Sequence, residues 1–242
     1  MPVRLHINVD HVATLRNARG TPYPDPVRAA EECLAAGAHG ITAHLREDRR
    51  HIVDGDVERL RALCKAHHRT FNLEMAATDE MVAIASRVKP EVCTLVPERR
   101  QEQTTEGGLD VAGGGEELVR RVRVLLGAGI KVSLFIAAEG DAIDRAHGMG
   151  AAQIELHTGE YAHGRAGELE RLAEGAGRAH ALGLEVAAGH GLTQENVPAL
   201  VAIPEIVELN IGHAVIADAV FVGMAEAVRA YEAAIARGMS QR

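Results

Sequence analysis

Short apolar runs recur along the chain, and most of them end in polar residues able to carry chemistry. They close on Asn8 and Asp10, on His44 and Arg46, and on Asn72 and Glu74. Later ones close on Glu155 and His157, on Gly189 and His190, and on Asn210, Gly212 and His213. Strand interiors favour Val, Ile and Leu, so an imidazole or carboxylate at the end of such a run calls for a functional reason. The runs predict strands over 3–9, 40–45, 70–75, 92–96, 131–136, 152–157, 184–188 and 206–210. Helical spacing predicts helices near 25–36, 55–67, 78–87, 116–127, 139–148, 166–182, 193–202 and 214–236. Thr78 and Thr193, each two residues before a glutamate, read as N-caps. Gly37, Gly129, Gly150 and Gly183 fall where a helix C-terminus needs a left-handed residue.

Strands alternating with helices of this length pair in parallel through right-handed crossovers. Eight such units predict closure into a single-domain (β/α)8 TIM barrel over residues 1–242. No G-x-G-x-x-G opens the first helix, which argues against an open dinucleotide-binding sheet. In a parallel barrel the active site is built at the carboxyl ends of the strands, where the polar residues of this chain collect. The irregular stretch 97–115 is long for a loop after strand four. It reads as an active-site lid, the alternative being a surface excursion.

The net charge of −8 argues against a nucleic-acid partner. Three cysteines (Cys33, Cys64, Cys93) without C-x-x-C spacing form no disulfide framework and suit a reducing cytoplasm. No apolar stretch is long enough to span a membrane, and the first residues lack an apolar signal region. Only three lysines occur, at 65, 89 and 131. Two fall on predicted helices and Lys131 at the amino end of strand five, so a barrel-type Schiff base has no evident lysine.

Residues of one parity share a strand face, so Asn8, Glu74 and Glu155 can crowd the mouth of the barrel together. Buried carboxylates without partners are costly, and clustering moves their pKa values toward neutrality, as general acid–base work requires. The run after His44 is either a solvated charged loop or an anion clamp. Gly189-His-Gly191 and Asn210-Ile-Gly-His213 end strands seven and eight, whose loops commonly cradle phosphate in this fold. Ordinary tight turns are the other reading of both. His67, His68, His147 and His180 sit on or beside helices and read as exposed or structural.

Several strings carry a family resemblance. Asn8-Val-Asp-His-Val-Ala-Thr-Leu-Arg-Asn-Ala-Arg-Gly20, His44-Leu-Arg-Glu-Asp-Arg-Arg-His51, Asn72-Leu-Glu-Met-Ala76 and Leu95-Val-Pro-Glu98 resemble the signatures of the pyridoxine 5'-phosphate synthase family. Thr104-Thr-Glu-Gly-Gly-Leu-Asp-Val111, Glu155-Leu-His-Thr-Gly159, Ala188-Gly-His-Gly-Leu192 and Asn210-Ile-Gly-His213 continue the likeness in order. The resemblance implies a cytoplasmic, homo-octameric, transferase-type ring-closing synthase needing no metal or organic cofactor. It would condense 1-deoxy-D-xylulose 5-phosphate with 3-amino-2-oxopropyl phosphate, through an imine between the substrates, into pyridoxine 5'-phosphate, phosphate and water. By matching motif, His44 and Glu74 would accept protons, His190 would donate one, and Glu155 would stabilise developing charge. Asp10, His11, Arg46, His51 and Thr104 would hold the deoxyxylulose phosphate; Asn8, Arg19, Gly191, Gly212 and His213 would hold the amino-ketone phosphate. Ala137 and Ala187 stand where the family pattern has Asp and Asn, and His39 replaces an Asp as an expected surface variation.

Two other functions compete. One is a metal-dependent sugar-phosphate epimerase or aldolase with His44, Glu74, Glu155 and His190 as ligands. The other is a non-catalytic carrier of a phosphorylated metabolite.

Overall fold

The computed structural model describes residues 2–98 and 107–242. The chain opens with β1 (Arg4–Asn8), α1 (Asp10–Arg19), α2 (Pro26–Ala36), β2 (Gly40–His44) and α3 (Asp54–Ala66). β3 (Thr70–Met75), α4 (Asp79–Val88), β4 (Val92–Leu95), α5 (Gly115–Gly127), β5 (Lys131–Ile136) and α6 (Gly140–Gly148) follow. The last part comprises β6 (Gln153–His157), α7 (Gly159–Ala162), α8 (Glu168–Ala181), β7 (Glu185–Gly189), α9 (Val197–Val201), β8 (Ile206–Ile211), α10 (His213–Val222) and α11 (Met224–Met239). The eight strands pair in parallel in chain order, and β1 pairs with β8 to close the barrel. This is the predicted (β/α)8 TIM barrel.

Alternation along the strands separates two kinds of burial. Leu5 and Ile7, Ile41 and Ala43, and Phe71 and Leu73 are fully buried in the apolar layer under the helices. On the opposite parity the barrel interior is unusually polar: His6, Thr42, Asn72, Thr94, Ser133, Gln153, Glu155, Glu208 and Asn210 are all buried. Barrels of this class are commonly filled by Val, Ile and Leu in layers. Polar filling is tolerable only where the groups bond one another. At the floor, Gln153 Nε2 donates to Glu208 Oε1 at 3.1 Å and Arg4 Nε to its other oxygen at 3.0 Å. Gly40 lies against the His6 ring, where an added Cβ would come within 2.6 Å of Nε2.

Thr78 caps α4, its hydroxyl accepting from Met81 N. Thr193 does not cap a helix. Its hydroxyl accepts from Glu195 N in a turn, and α9 starts only at Val197, ahead of Pro198. The four predicted C-terminal glycines all have positive φ. α1 is a helix that the helical spacing does not predict, and the helix expected over 214–236 is two helices broken at Gly223. α11 buries Ala227, Val228, Tyr231, Ala234 and Ile235, a stripe at helical spacing that packs on α2 and α9. His39 is only a third exposed, and its Nδ1 accepts from Leu5 N at 3.3 Å, so it is more than a surface variation.

Candidate active site

A cavity of about 760 Å³ opens at the carboxyl ends of the strands. Its lining includes Asn8, Asp10, His11, His44, Arg46, Glu74, Glu155, His190, Gly191, Gly212 and His213. Eleven of the fourteen expected site residues therefore meet around one space. His51 and Arg19 do not line it: His51 lies behind, its ring centroid 5.9 Å from that of His44, and Arg19 is exposed at the end of α1. Thr104 and the rest of 99–106, part of the expected lid 97–115, fall outside the described residues. His67, His68, His147 and His180 are exposed, as expected.

One wall is a closely bonded acid–base group. In the β2–β3 register His44 lies beside Glu74. Asn8 Nδ2 donates to Glu74 Oε2 at 3.3 Å and to Asp10 Oδ2 at 2.9 Å, and its Oδ1 accepts from Asp10 N. Asp10 Oδ1 accepts from His44 N at 2.9 Å. Asp10 is placed by the first turn of α1, whose Val9 cap offers no side-chain oxygen. On the far side, Glu98 Oε1 lies 2.8 Å from His44 Nε2, and its Oε2 accepts from Glu47 N.

Burial is the main force on these groups. It raises the Asp10 carboxyl to about 6, against the pull of His44 and of the bonds from His44 N and Asn8. It raises Glu74 to about 7, with Asp10 adding to the rise and His44 opposing it. Burial also holds Glu155 well above the ordinary carboxylate range, and the Glu74 and Glu208 charges push the same way. For His44, burial disfavours the charge, but the Glu98 bond and the Glu74 and Asp10 carboxylates outweigh it and raise the imidazole. Burial lowers His190, with His163 contributing, and lowers His51 to about 4.

A hydrogen-bonded belt runs one step below His44 and Glu74 on the same strands and crosses the barrel to Glu155. Thr94 Oγ1 donates to Asn72 Oδ1 at 2.8 Å, and Asn72 Nδ2 to Thr42 Oγ1 at 3.5 Å. Thr42 Oγ1 then donates to Asn210 Oδ1 at 2.7 Å, and Asn210 Nδ2 to Glu155 Oε2 at 2.8 Å. Every donor points toward Glu155, so each bond polarises the next and the last meets the carboxylate. On the sequence Thr42 and Thr94 look like ordinary strand formers; only barrel closure links them to Asn72, Asn210 and Glu155.

Another wall is backbone. His190 has φ of 86° and Gly191 of 76°, the former a strained value for a side-chain-bearing residue. Thr158 Oγ1 holds the turn through the carbonyls of Gly189 and His190, and Asn196 Nδ2 through that of Gly191. His157 stands between Phe135 and His190, with ring centroids 5.2 Å and 5.0 Å away. Gly212 precedes α10, and the His213 ring meets His11 edge-on at 4.9 Å. The two histidine–glycine turns thus frame the start of a ten-residue helix, an arrangement suited to phosphate.

Among the described residues, Asp10, His44 and His51 form a metal-capable set, offering ligand atoms within 4.8 Å of one another. Their atoms are already engaged: His51 Nδ1 accepts from Ile52 N, His44 Nε2 faces Glu98, and both Asp10 oxygens accept bonds. The four ligands suggested by spacing do not gather as such a set.

A family model described as "Pyridoxal phosphate biosynthesis protein PdxJ" matches residues 5–237. A protein of Xanthobacter autotrophicus named pyridoxine 5'-phosphate synthase is 58% identical, over 98% of this chain and 94% of its own. Its namesake in Gluconobacter oxydans is 57% identical, over 94% and 96%. The chain belongs to the pyridoxine 5'-phosphate synthase family. It is an enzyme of pyridoxine biosynthesis, and the cavity at the strand ends is its candidate active site. Solved structures extend the likeness in fold alone. Thiamine phosphate pyrophosphorylase from Pyrococcus furiosus superposes with a TM-score of 0.65 at 13% identity, covering 98% and 97% of the two chains. Phosphoribosyl anthranilate isomerase from Thermus thermophilus gives 0.60 at 18% identity, covering 99% and 100%.

Proposed function

We propose that the cavity joins 1-deoxy-D-xylulose 5-phosphate to 3-amino-2-oxopropyl phosphate through an imine between the two substrates. Ring closure then releases phosphate and water and leaves pyridoxine 5'-phosphate. The observation that carries this reading is the set of Asp10, His44, Glu74 and Glu155, whose protonation is shifted toward neutrality in a cavity with no lysine among its lining residues. The substrate's amine supplies the imine nitrogen, and the protein moves protons.

In this mechanism His44 and Glu74 accept protons, His190 donates one, and Glu155 balances the positive charge that develops during dehydration and closure. Asp10, His11, Arg46, His51 and Thr104 bind the deoxyxylulose phosphate. Asn8, Gly191, Gly212 and His213 bind the amino-ketone phosphate, and Arg19 is assigned to it although it does not line the cavity. The protein is proposed to work in the cytoplasm as a homo-oligomer, an octamer by family resemblance. Val220, Phe221 and Val222 support association, since they are 69%, 89% and 56% exposed in one apolar run; sedimentation at working concentration reads the assembly.

Chelator-treated protein given both substrates is expected to form pyridoxine 5'-phosphate and inorganic phosphate together. Loss of turnover on chelation, restored by a divalent metal, would instead favour the metal-dependent reading through Asp10, His44 and His51. The strand-eight cradle is tested by Gly212→Val. An added Cβ would sit 3.0 Å from Asn8 Cβ, so the branched side chain presses on the residue that ties Asp10 to Glu74. KM for the amino-ketone phosphate is expected to rise about tenfold or more, the value of one lost charge-assisted hydrogen bond. Native affinity in the variant would discredit the cradle.

A further inference from the structure

Glu98 follows β4 and lies 54 residues from His44 in sequence, yet its side chain is 4% exposed and meets the imidazole at 2.8 Å. Its second oxygen takes the Glu47 backbone N–H at 3.0 Å, so the carboxylate is clamped from the loop after β2 and cannot rotate away freely. Resting on the acid–base reading of this cavity, we propose that Glu98 is the positioning residue of the His44 base, holding Nε2–H so that Nδ1 is the proton acceptor.

The chemistry follows from the tautomer. A neutral imidazole carries one N–H and one lone pair, and a carboxylate, which only accepts, selects the N–H at the nitrogen it faces. Burial opposes charge on Glu98, but the His44 bond and the Glu47 N–H hold it below the ordinary carboxylate range, so it remains an acceptor. A fixed negative partner also stabilises the imidazolium formed when His44 takes a proton, as in other carboxylate–histidine pairs. Among the described residues, the other charged or titratable groups facing His44 include Glu74 from β3, Asp10 from the start of α1, and His51 and Arg46 from its own loop. Of these, Glu74 and Asp10 are themselves displaced toward neutrality, whereas the His44 and Glu47 N–H bonds hold Glu98 below the ordinary carboxylate range.

The native protein labelled with ¹⁵N-histidine tests the tautomer without substrate, the His44 signals being those lost in His44→Gln. Above its titration, His44 is expected to carry the proton on Nε2 with Nδ1 bare; the opposite tautomer overturns the proposal. In Glu98→Gln the His44 titration is expected to move down by about one unit or more. kcat is expected to fall about 100-fold with KM held within about threefold, and the acid limb of kcat/KM moves to lower pH with the imidazole. A merely structural tie leaves tautomer and titration as they were, and that result sinks the idea. Should Glu98→Gln fail to fold, the native spectrum still decides. Should no pyridoxine 5'-phosphate form while the tautomer and shift appear as expected, the synthase mechanism fails and the Glu98–His44 pairing stands.

Discussion

Glu74→Gln is expected to lose turnover by roughly 10²- to 10⁴-fold, the contribution of a positioned general base, while gaining stability near neutral pH. The two effects share one cause. Burial lifts the Glu74 carboxyl from 4.5 to about 7, so the folded protein binds this proton more tightly than the unfolded chain does. Between those two values the native state holds more protons, and native stability must fall as pH rises through that window. Gln has no such proton. It is close in shape to Glu, and its amide oxygen can still accept from Asn8 Nδ2. The variant's Tm should therefore exceed the wild-type value at pH 8, with the gap closing toward pH 5. Calorimetry at the two pH values beside a product assay reads both halves. A variant that unfolds, or turns over normally, removes Glu74 from its proposed role. A protein that only carries the metabolite would keep its affinity in this variant and have no turnover to lose.

How far the sequence alone reaches depends on whether a feature is local. Eight strands and most helices are legible because alternation and helical spacing are local signals, and the same alternation brings Asn8, Glu74 and Glu155 to one face. α1 is not legible: it buries only Asp10, Val12 and Ala13, exposes Leu15, and has no side-chain cap, so it lacks an apolar stripe. The break at Gly223 is hidden because the residues on both sides suit a helix, while its φ of 85° and ψ of 155° suit none. In the site, the strand-end imidazoles and carboxylates announce themselves. Glu98 does not, since its meaning lies in a contact across the barrel mouth. Thr42 and Thr94 are likewise plain strand residues until closure links them, through Asn72 and Asn210, to Glu155. The motifs assign Arg19 and His51 to the site, and the geometry leaves both off the cavity lining.

Gly189→Ala is expected to lower kcat roughly 10²-fold, comparable to losing one preorganised transition-state contact, although alanine is the smallest side chain that could be added. Gly189 is not among the glycines with positive φ, so its backbone accepts an L residue and the effect is steric. The added Cβ would sit 2.2 Å from Glu155 Oε1 and 3.1 Å from the Asn210 carbonyl oxygen. Glu155 is 3% exposed and bonded to Asn210, so it has little room to yield. Rotating its carboxylate away leaves Asn210 Nδ2 unpaired at the end of the belt, a cost of about 1–3 kcal/mol that should appear as lowered stability. The turns carrying Gly191 and Gly212 are untouched, so KM should change far less than kcat. The decisive comparison is a double-mutant cycle with Glu155→Ala, which removes the carboxylate that the new methyl strikes. If Gly189→Ala acts through Glu155, it has almost no further effect on kcat in that background. A full additive loss there would mean that Gly189 serves the reaction by another route and that Glu155 is not the group being displaced.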